Sequence, residues 1–293
     1  MNEDLVVCST GTMPSALGKR YHEIDAVLRA AEVIPARDLE VVLHPDWREG
    51  LPPRSRQPDA PGVSATLTSD EIIFKLKEGM DRIGIRIHSI HANRDLGSFL
   101  NDGDGQTIAG QILGDTIGIA HEVGAEVIVI HPWDSRADEI DLEHIAASII
   151  EASRRSRATL TLENIPLCAA GWSQADALAA LTGLVPDTVG LTLDLSWSSM
   201  YDNFNELLDL LPRIENVHVQ GRLVPGENGD RLHPRAGSIN IEAAVRRLCR
   251  LGYEGQWTLE LNRPRSPEDF RRGVRCLWDL INSDAKRTWG DSS

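Results

Sequence analysis

Short apolar runs recur along the chain and alternate with longer stretches whose apolar residues repeat at helical spacing. The run Glu126–Ile130 is continuous and β-branched, which is typical of a strand buried on both faces. After it, Ile145, Ala146 and Ile149 recur at spacings of three and four, which predicts a helix with one buried face. Eight strands are predicted in all, at Leu5–Cys8, Leu39–Leu43, Ile85–Ile90, Glu126–Ile130, Thr159–Leu162, Val189–Leu193, Asn216–Val219 and Gln256–Leu259.

The intervening stretches predict a helix after each strand. They lie near Tyr21–Ala31, Ser69–Met80, Gln106–Glu122, Leu142–Ile150, Ser173–Leu181, Phe204–Leu211, Ile241–Leu248 and Phe270–Ile281. Strands that alternate with helices require a parallel sheet. Eight repeats of the unit favour closure into a single α/β barrel of the (β/α)8, or TIM, type.

The predicted barrel is one domain covering residues 1–283, and residues 284–293 are expected to form a flexible C-terminal tail. Arg48–Thr66 is rich in proline and arginine without periodicity, which indicates a long loop. Gly221–Gly237 is rich in charged residues and is also expected to be a loop.

Composition limits where the protein works and what it binds. The net charge of −14 repels polyanions, so no nucleic-acid partner is expected. No apolar run is long enough to cross a membrane, and the acidic start Met1–Asp4 does not fit a secretory signal. The four cysteines are widely spaced, which fits reduced and mostly buried thiols. A cytoplasmic location is therefore expected.

Four residues of metal-binding type stand at the ends of the last four predicted strands. They are Glu163, Asp194, His218 and Glu260. Because functional groups of such barrels gather where strands end, these side chains are predicted to meet at one mouth. Three carboxylates in a partly dry pocket repel one another, and a divalent cation removes that repulsion. The alternative is that each residue acts alone, as a helix cap or a solvated charge.

Three oxygen ligands and one imidazole favour Mn²⁺, with Mg²⁺, Co²⁺ or Zn²⁺ as further options. Five other residues near the same mouth are candidates for substrate binding: His91, His131, Trp133, Trp197 and Arg222. Packing or hydrogen bonding explains the histidines equally well, packing is the alternative for Trp197, and solvation is favoured over ligand binding for arginines of the charged loop. The chain has no P-loop, GxSxG, HExxH or helix-opening GxGxxG motif, which removes several enzyme classes.

These strand-end motifs resemble the xylose isomerase-like barrel superfamily, which holds sugar-phosphate isomerases and epimerases and endonuclease IV. The matching pieces, between about Ile85 and Leu280, are Ile90-His91-Ala92, Val129-Ile130-His131-Pro132, Thr161-Leu162-Glu163-Asn164, Leu193-Asp194, Val217-His218-Val219 and Leu259-Glu260. The resemblance implies one divalent metal on Glu163, Asp194, His218 and Glu260. It also implies that Glu163 and Glu260 act as acid and base. Superfamily members often pair, which allows a homo-oligomer.

The chain departs from the superfamily pattern at three places. Trp197 stands where a histidine is frequent, Gln220-Gly221 replaces a Lys-Asp pair, and Ala236-Gly237-Ser238 replaces a Gly-acid-Gly segment. The leading hypothesis is a metal-dependent isomerase or epimerase that acts on a small sugar-like polyhydroxy carbonyl substrate through an enediolate. The alternatives are a dehydratase or lyase on a similar substrate, a phosphodiesterase like endonuclease IV, and a non-catalytic barrel that binds a sugar or a partner protein.

Overall fold

The computed structural model describes residues 6–19, 24–34, 37–43, 67–226 and 229–288. The predicted loop Arg48–Thr66 and the start of the first predicted helix lie outside these residues. The last helix runs from Pro267 to Thr288, so it includes five residues that were expected in the tail. Residues 289–293 lie outside the described part, and for them the tail stays a prediction.

Nine strands are found in the described part of the chain: β1 (Val6–Ser9), β2 (Asp38–Val42), β3 (Arg86–His91), β4 (Val127–Ile130), β5 (Thr159–Glu163), β6 (Gly190–Asp194), β7 (Ile214–Gly226), β8 (Gly229–Pro234) and β9 (Gln256–Leu261). All of their pairings are parallel except that of β7 with β8. The pairings β6–β7 and β1–β9 close the sheet into an eight-stranded barrel. Each predicted strand lies on an observed one, and the predicted TIM barrel is confirmed.

Helices cover the outside of the barrel: α1 (Ile24–Val33), α2 (Ser69–Ile83), α3 (Leu96–Leu100), α4 (Gln106–Val123), α5 (Leu142–Arg155), α6 (Gln174–Leu184), α7 (Leu195–Met200), α8 (Phe204–Leu207), α9 (Ile241–Arg250) and α10 (Pro267–Thr288). Thr68 begins α2 with a capping box, because its hydroxyl accepts from the Glu71 amide and the Glu71 carboxylate accepts from the Thr68 amide. The short helices α3 and α7 lack enough turns to show a periodic pattern, and they were not predicted.

The segment after the seventh barrel strand differs from its prediction. Instead of a charged loop, β7 continues to Gly226 and pairs antiparallel with β8, from Gly221 opposite Pro234 to Gly226 opposite Gly229. On β8, Leu232 and Pro234 are buried while His233 is exposed. The alternation was hidden because each strand of the hairpin is short and is interrupted by glycine and proline, at Pro225 and Gly226 of β7 and at Gly229 of β8. The result is a hairpin that extends from the mouth of the barrel.

The inside of the barrel is polar in its centre, whereas such interiors are usually filled by branched apolar residues. The side chains of Glu40, Ser89, Thr161, Thr192, Asn216 and Thr258 are fully buried there. The aliphatic core lies instead between the strands and the surrounding helices. In the described residues, no helix combines the length and the apolar character needed to cross a membrane.

The four cysteines are free. Cys8 is buried, Cys249 and Cys276 are half-buried, and Cys168 is exposed.

Candidate metal centre

Barrel closure brings three of the four predicted ligands into one buried cluster. Asp194, the last residue of β6, lies beside His218 in the register of β6 and β7. Glu163 ends β5, the next strand around the barrel. One ligand atom from each of Glu163, Asp194 and His218 lies within 4.8 Å of the other two. Residues that are distant along the chain therefore form the geometric core of a candidate cation site.

Asp194 has two different oxygen environments. Its Oδ1 accepts a hydrogen bond from the Trp197 amide at 2.8 Å, which caps α7. Its Oδ2 is buried and has no hydrogen-bond partner within the described structure. The Asn164 side chain makes two hydrogen bonds to the Asp194 backbone. Its Oδ1 accepts from the Asp194 amide at 2.5 Å, and its Nδ2 donates to the Asp194 carbonyl at 3.1 Å. Asp194 is thus a helix cap and a candidate ligand at once, because each role uses a separate oxygen.

Glu163 connects three histidines. Its Oε2 lies 3.1 Å from His91 Nε2 and 3.0 Å from His131 Nε2. Its Oε1 lies 3.3 Å from Nδ1 of His218. His91 Nδ1 also contacts the Ala92 carbonyl at 2.9 Å, so in this arrangement both of its ring nitrogens face acceptors. Glu163 is therefore held by the strand ends on both sides of β5.

Glu260, the fourth predicted ligand, lies on the other side of His218. One of its oxygens falls within 4.8 Å of ligand atoms of His218 and Glu40. Ser9 donates to Glu260 Oε1 at 3.2 Å, and Gln220 Nε2 donates to Glu260 Oε2 at 2.7 Å. Glu260 is half-buried, while Glu163, Asp194 and His218 are buried. It is thus the most accessible carboxylate of the group.

Burial, repulsion among the carboxylates and attraction between carboxylates and imidazoles together shift the pKa values of the cluster. Burial raises the pKa of Asp194 well above its usual range, and the charges of Glu163 and Glu260 add to that effect. Burial also disfavours the ionised form of Glu163, but His218 and His131 outweigh it and hold the Glu163 pKa well below its usual range. For His218, burial favours the neutral ring, yet Glu40 and Glu163 raise its pKa well above the ordinary value.

The donor set fits a divalent cation. Three buried atoms of the candidate ligand groups, Asp194 Oδ2, His218 Nδ1 and Glu40 Oε1, lack hydrogen-bond partners in the described structure. Such orphaned groups are costly in a dry interior unless an ion or a water satisfies them. Carboxylate oxygens and one imidazole are ligands that Mn²⁺, Mg²⁺ and Zn²⁺ all accept. A second group, His91, His131 and Glu163, also has its ligand atoms within 4.8 Å of one another.

Two of the predicted substrate-binding residues, His91 and His131, belong to this second group. Burial opposes a charged His91 ring, but Glu163 outweighs it and raises the His91 pKa. Burial lowers the pKa of His131, against the opposing influence of Glu163. Both rings therefore contact the Glu163 carboxylate, which connects them to the cluster.

Trp133 is packed in the hydrophobic core. Its side chain is fully buried, and its indole Nε1 donates to the Pro166 carbonyl at 3.1 Å. The expectation that Trp133 contacts substrate stays a prediction, and it requires a substrate cavity that reaches this ring.

Trp197 and the hairpin arginines lie at the rim. The Trp197 ring is half-buried, and the Arg235 guanidinium lies over it, 5.6 Å from its centroid. The Arg235 amide donates to Ser196 Oγ, which itself donates to the Gln220 carbonyl. Arg222 is exposed on β7, on the strand face that also carries His218 and Gln220, because side chains alternate along a strand. In the described residues neither arginine has a carboxylate at ion-pair distance.

Two residues of the candidate site, Glu40 and Arg235, are not among the predicted ones. Glu40 is fully buried in β2, and its Oε2 lies 3.1 Å from His218 Nε2. Burial opposes the ionised form, but His218 outweighs it and lowers the Glu40 pKa. A charged residue inside a run predicted as a buried strand was the available signal, since a buried carboxylate needs partners. Arg235 carried no such signal, because its position depends on the unforeseen hairpin.

Comparisons with known proteins agree with the fold. A family model described as a xylose isomerase-like TIM barrel matches residues 50–280. An uncharacterized protein of Methanocaldococcus jannaschii is 23% identical over 180 residues. That alignment covers 57% of this chain and 61% of the relative's length.

Solved structures with the same fold cover nearly the whole chain at low identity. A D-tagatose 3-epimerase-like protein has a TM-score of 0.66 at 18% identity, with 97% of this chain and 99% of that chain covered. A Mycobacterium smegmatis xylose isomerase-like TIM barrel protein in complex with magnesium has a TM-score of 0.62 at 14% identity, covering 94% and 97%. Endonuclease IV from Thermus thermophilus has a TM-score of 0.56 at 18% identity, covering 95% and 98%. These likenesses show the fold.

The family model spans most of the chain, and its matched residues include Glu163, Asp194, His218 and Glu260. The chain therefore belongs to the xylose isomerase-like TIM barrel family.

Proposed function

We propose that this protein is a metal-dependent isomerase or epimerase that acts on a small polyhydroxy carbonyl compound, such as a sugar. The observation that carries the proposal is the convergence of Glu163, Asp194 and His218, with Asp194 Oδ2 buried and unsatisfied toward their common space. Glu260 lies in a second group with Glu40 and His218, so His218 is shared by the groups of both carboxylates. The epimerase-like neighbour in the family supports the same class of reaction.

Glu163, Asp194, His218 and Glu260 would hold one divalent metal, for which Mn²⁺ is the first choice and Mg²⁺, Co²⁺ and Zn²⁺ are alternatives. The magnesium complex of a family member supports such a site. When bound, the metal supplies Lewis-acid stabilisation of the negative charge that develops on substrate oxygens.

Glu163 and Glu260 supply the acid–base chemistry in this proposal. One carboxylate removes a proton from the carbon next to the carbonyl, which gives an enediolate, and the other returns a proton to complete isomerisation or epimerisation. Ser9 and Gln220 fix both oxygens of Glu260, while His91 and His131 fix Glu163. Such fixed carboxylates need little rearrangement when the proton moves.

The rim supplies groups for substrate recognition. Trp197 offers an aromatic face, and Arg235 over that face and Arg222 on β7 carry positive charges. Arginine binds carboxylate and phosphate groups through paired hydrogen bonds. We therefore expect a substrate with an anionic group distant from its reacting carbon.

The test is solvent deuterium incorporation into a panel of ketoses, sugar phosphates and inososes, with Mn²⁺ and with chelator. We expect exchange at the carbon next to the carbonyl only with metal, and its loss in Glu163→Gln and Glu260→Gln. Glu254→Gln is the matched control, because Glu254 is an exposed carboxylate outside the cluster. Absence of exchange across the panel with metal-loaded protein would contradict the proposal.

A dehydratase or lyase shares the first proton abstraction and then expels water. The same panel separates the two reactions, since a dehydratase yields a product lighter by one water. Exchange without loss of water supports the isomerase.

One observation favours a second candidate, a phosphodiesterase like endonuclease IV. His91, His131 and Glu163 form a further group of ligand type beside the first, so the mouth has donors for more than one cation. The net charge of −14 opposes DNA binding. Metal content per chain and cleavage of abasic DNA distinguish the candidates, because the isomerase predicts one metal and no cleavage.

A further inference from the structure

Glu40 is a carboxylate enclosed in the barrel, one layer below the candidate metal centre. It lies on β2, pairs with Ser89 of β3 in the strand register, and has no exposed surface. It precedes the residues that the family model matches. A buried carboxylate is costly unless hydrogen bonds compensate the lost solvation, so its partners indicate what it does.

One oxygen of Glu40 collects three donors. His218 Nε2 lies 3.1 Å from Oε2, Ser89 Oγ donates at 3.0 Å, and Asn216 Nδ2 donates at 3.4 Å. An ionised carboxylate can only accept, so the His218 nitrogen that faces it carries a hydrogen.

Further hydrogen bonds hold Glu40 and its donors in place. Gln256 Nε2 donates to Ser89 Oγ at 3.1 Å and to Thr258 Oγ1 at 2.9 Å. Thr258 in turn donates to Asn216 Oδ1 at 3.0 Å, which turns the Asn216 amide nitrogen toward Glu40. Residues from β3, β7 and β9 thereby fix the position of one carboxylate oxygen on β2.

The consequence concerns the other nitrogen of His218. With hydrogen on Nε2, the neutral ring presents a lone pair at Nδ1, which is the atom 3.3 Å from Glu163 Oε1. Nδ1 is buried and has no hydrogen-bond partner in the described structure, as is the case for Asp194 Oδ2. The opposite tautomer would place a lone pair against Glu40 and a hydrogen in the metal space.

We propose that Glu40 is a positioning residue that holds His218 in the Nε2–H tautomer and orientation, so that Nδ1 faces the metal. This inference rests on the metal centre of the proposed function. A competing arrangement follows from the same cluster: Glu40, His218 and Glu260 could themselves hold an ion. In that arrangement His218 binds through Nε2 and carries its hydrogen on Nδ1.

The experiment combines Mn²⁺ titration by electron paramagnetic resonance with nitrogen-15 NMR of the histidines in Mg²⁺-loaded protein. The variants are Glu40→Gln, which keeps an acceptor oxygen, and Glu40→Ala, which removes it. Asp38→Asn is the matched control, because Asp38 is a buried carboxylate on the same strand that pairs with Arg86 at 2.5 Å.

We expect wild-type His218 to carry hydrogen at Nε2 when loaded. Loss of this kind of supporting partner costs about 10- to 100-fold in metal affinity, so Glu40→Ala should raise the Mn²⁺ dissociation constant by that factor. Glu40→Gln should lie between Glu40→Ala and the wild type, and Asp38→Asn should match the wild type.

Hydrogen at Nδ1 in loaded wild type, or unchanged affinity in Glu40→Gln and Glu40→Ala, would overturn the inference. If Glu40→Ala does not fold, Glu40→Gln and the wild-type tautomer still decide it. A wild type that binds no Mn²⁺ would instead overturn the metal centre itself, and the inference with it.

Discussion

Asp194 Oδ1 accepts a hydrogen bond from the Trp197 amide, while Asp194 Oδ2 is buried without a hydrogen-bond partner in the described structure, beside Glu163 and His218. The two roles can be separated by substitution. Asp194→Asn keeps an oxygen that can cap α7 but removes the anionic ligand, so Mn²⁺ affinity should fall while unfolding stability changes little. Asp194→Ala also loses the cap and should cost about 1 kcal/mol more.

Chemical denaturation and Mn²⁺ titration of both variants measure these effects. Equal metal affinity in Asp194→Asn and wild type would remove Asp194 from the ligand set.

Metal should stabilise the folded barrel, because its ligands come from strands that are distant in sequence. At a free concentration about 100 times the dissociation constant, binding adds about 2.7 kcal/mol to the free energy of unfolding. For a protein of this size, that gain corresponds to a rise in Tm of about 4 °C. Calorimetry with Mn²⁺ and with chelator measures it, and Asp194→Asn serves as the non-binding control. No rise in the wild type would argue against a preformed site.

Metal binding should weaken as pH falls. In the metal-free protein the pKa of His218 is raised well above its ordinary value, because Glu40 and Glu163 outweigh burial. Burial, with Glu163 and Glu260, also raises the pKa of Asp194. Both groups hold protons that the metal must displace, so affinity is highest above these raised pKa values and is lost as pH falls through them.

Mn²⁺ titrations between about pH 6 and about pH 9, together with the protons released on binding, measure this dependence across and above the ordinary histidine range. Affinity that does not change across this range would contradict the assigned directions.

Gly97 on α3 sits against the backbone of Trp133, where a Cβ would overlap the Trp133 carbonyl. Because backbone cannot give way cheaply, Gly97→Ala should lower the free energy of unfolding by about 1–3 kcal/mol. Gly110→Ala on α4 is the control, since a Cβ there meets nothing within 4 Å. That control should stabilise by about 0.5–1 kcal/mol. Equal stabilities of the two variants would mean that α3 moves freely away from Trp133.

Arg235 and Trp197 should set the preference for an anionic substrate. Once exchange activity is found, Arg235→Gln should raise KM for the carboxylated or phosphorylated member of a substrate pair and leave KM for its neutral analogue unchanged. Arg250→Gln, an exposed arginine at the end of α9, is the control. An equal rise in KM for both substrates would mean that Arg235 supports the structure of the hairpin and does not bind the anionic group.

The sequence was sufficient for the barrel and for the convergence of Glu163, Asp194 and His218, and each has a physical reason. Buried parallel strands are continuous apolar runs, and functional groups gather at their carboxyl ends, so these residues and Glu260 could be named by position as candidate ligands. Their role as ligands stays a prediction. Glu40 could not be assigned this way, because it lies inside its strand and its partner His218 is far away in sequence.

The β7–β8 hairpin and the burial of Trp133 are two features that the sequence did not predict. The alternation of buried and exposed residues on β8 can be recognised only once the strand is known to be there. Trp133 follows the end of β4, the kind of position at which functional residues are expected in such a barrel. Its burial depends on the path of the chain after β4, which no local pattern records.

The polar interior makes the stability of this barrel depend on hydrogen bonds where most barrels rely on apolar contact. Replacing Thr258 or Asn216 by an aliphatic residue of similar size removes a polar group from water-free surroundings, which tends to be neutral or stabilising when its partners are also replaced. Glu40 is one of those partners, so the exchange either replaces Glu40 as well or leaves its buried carboxylate with fewer donors. Both outcomes weaken the proposed support of His218, so a version of this protein repacked in this way is expected to bind a divalent metal less tightly.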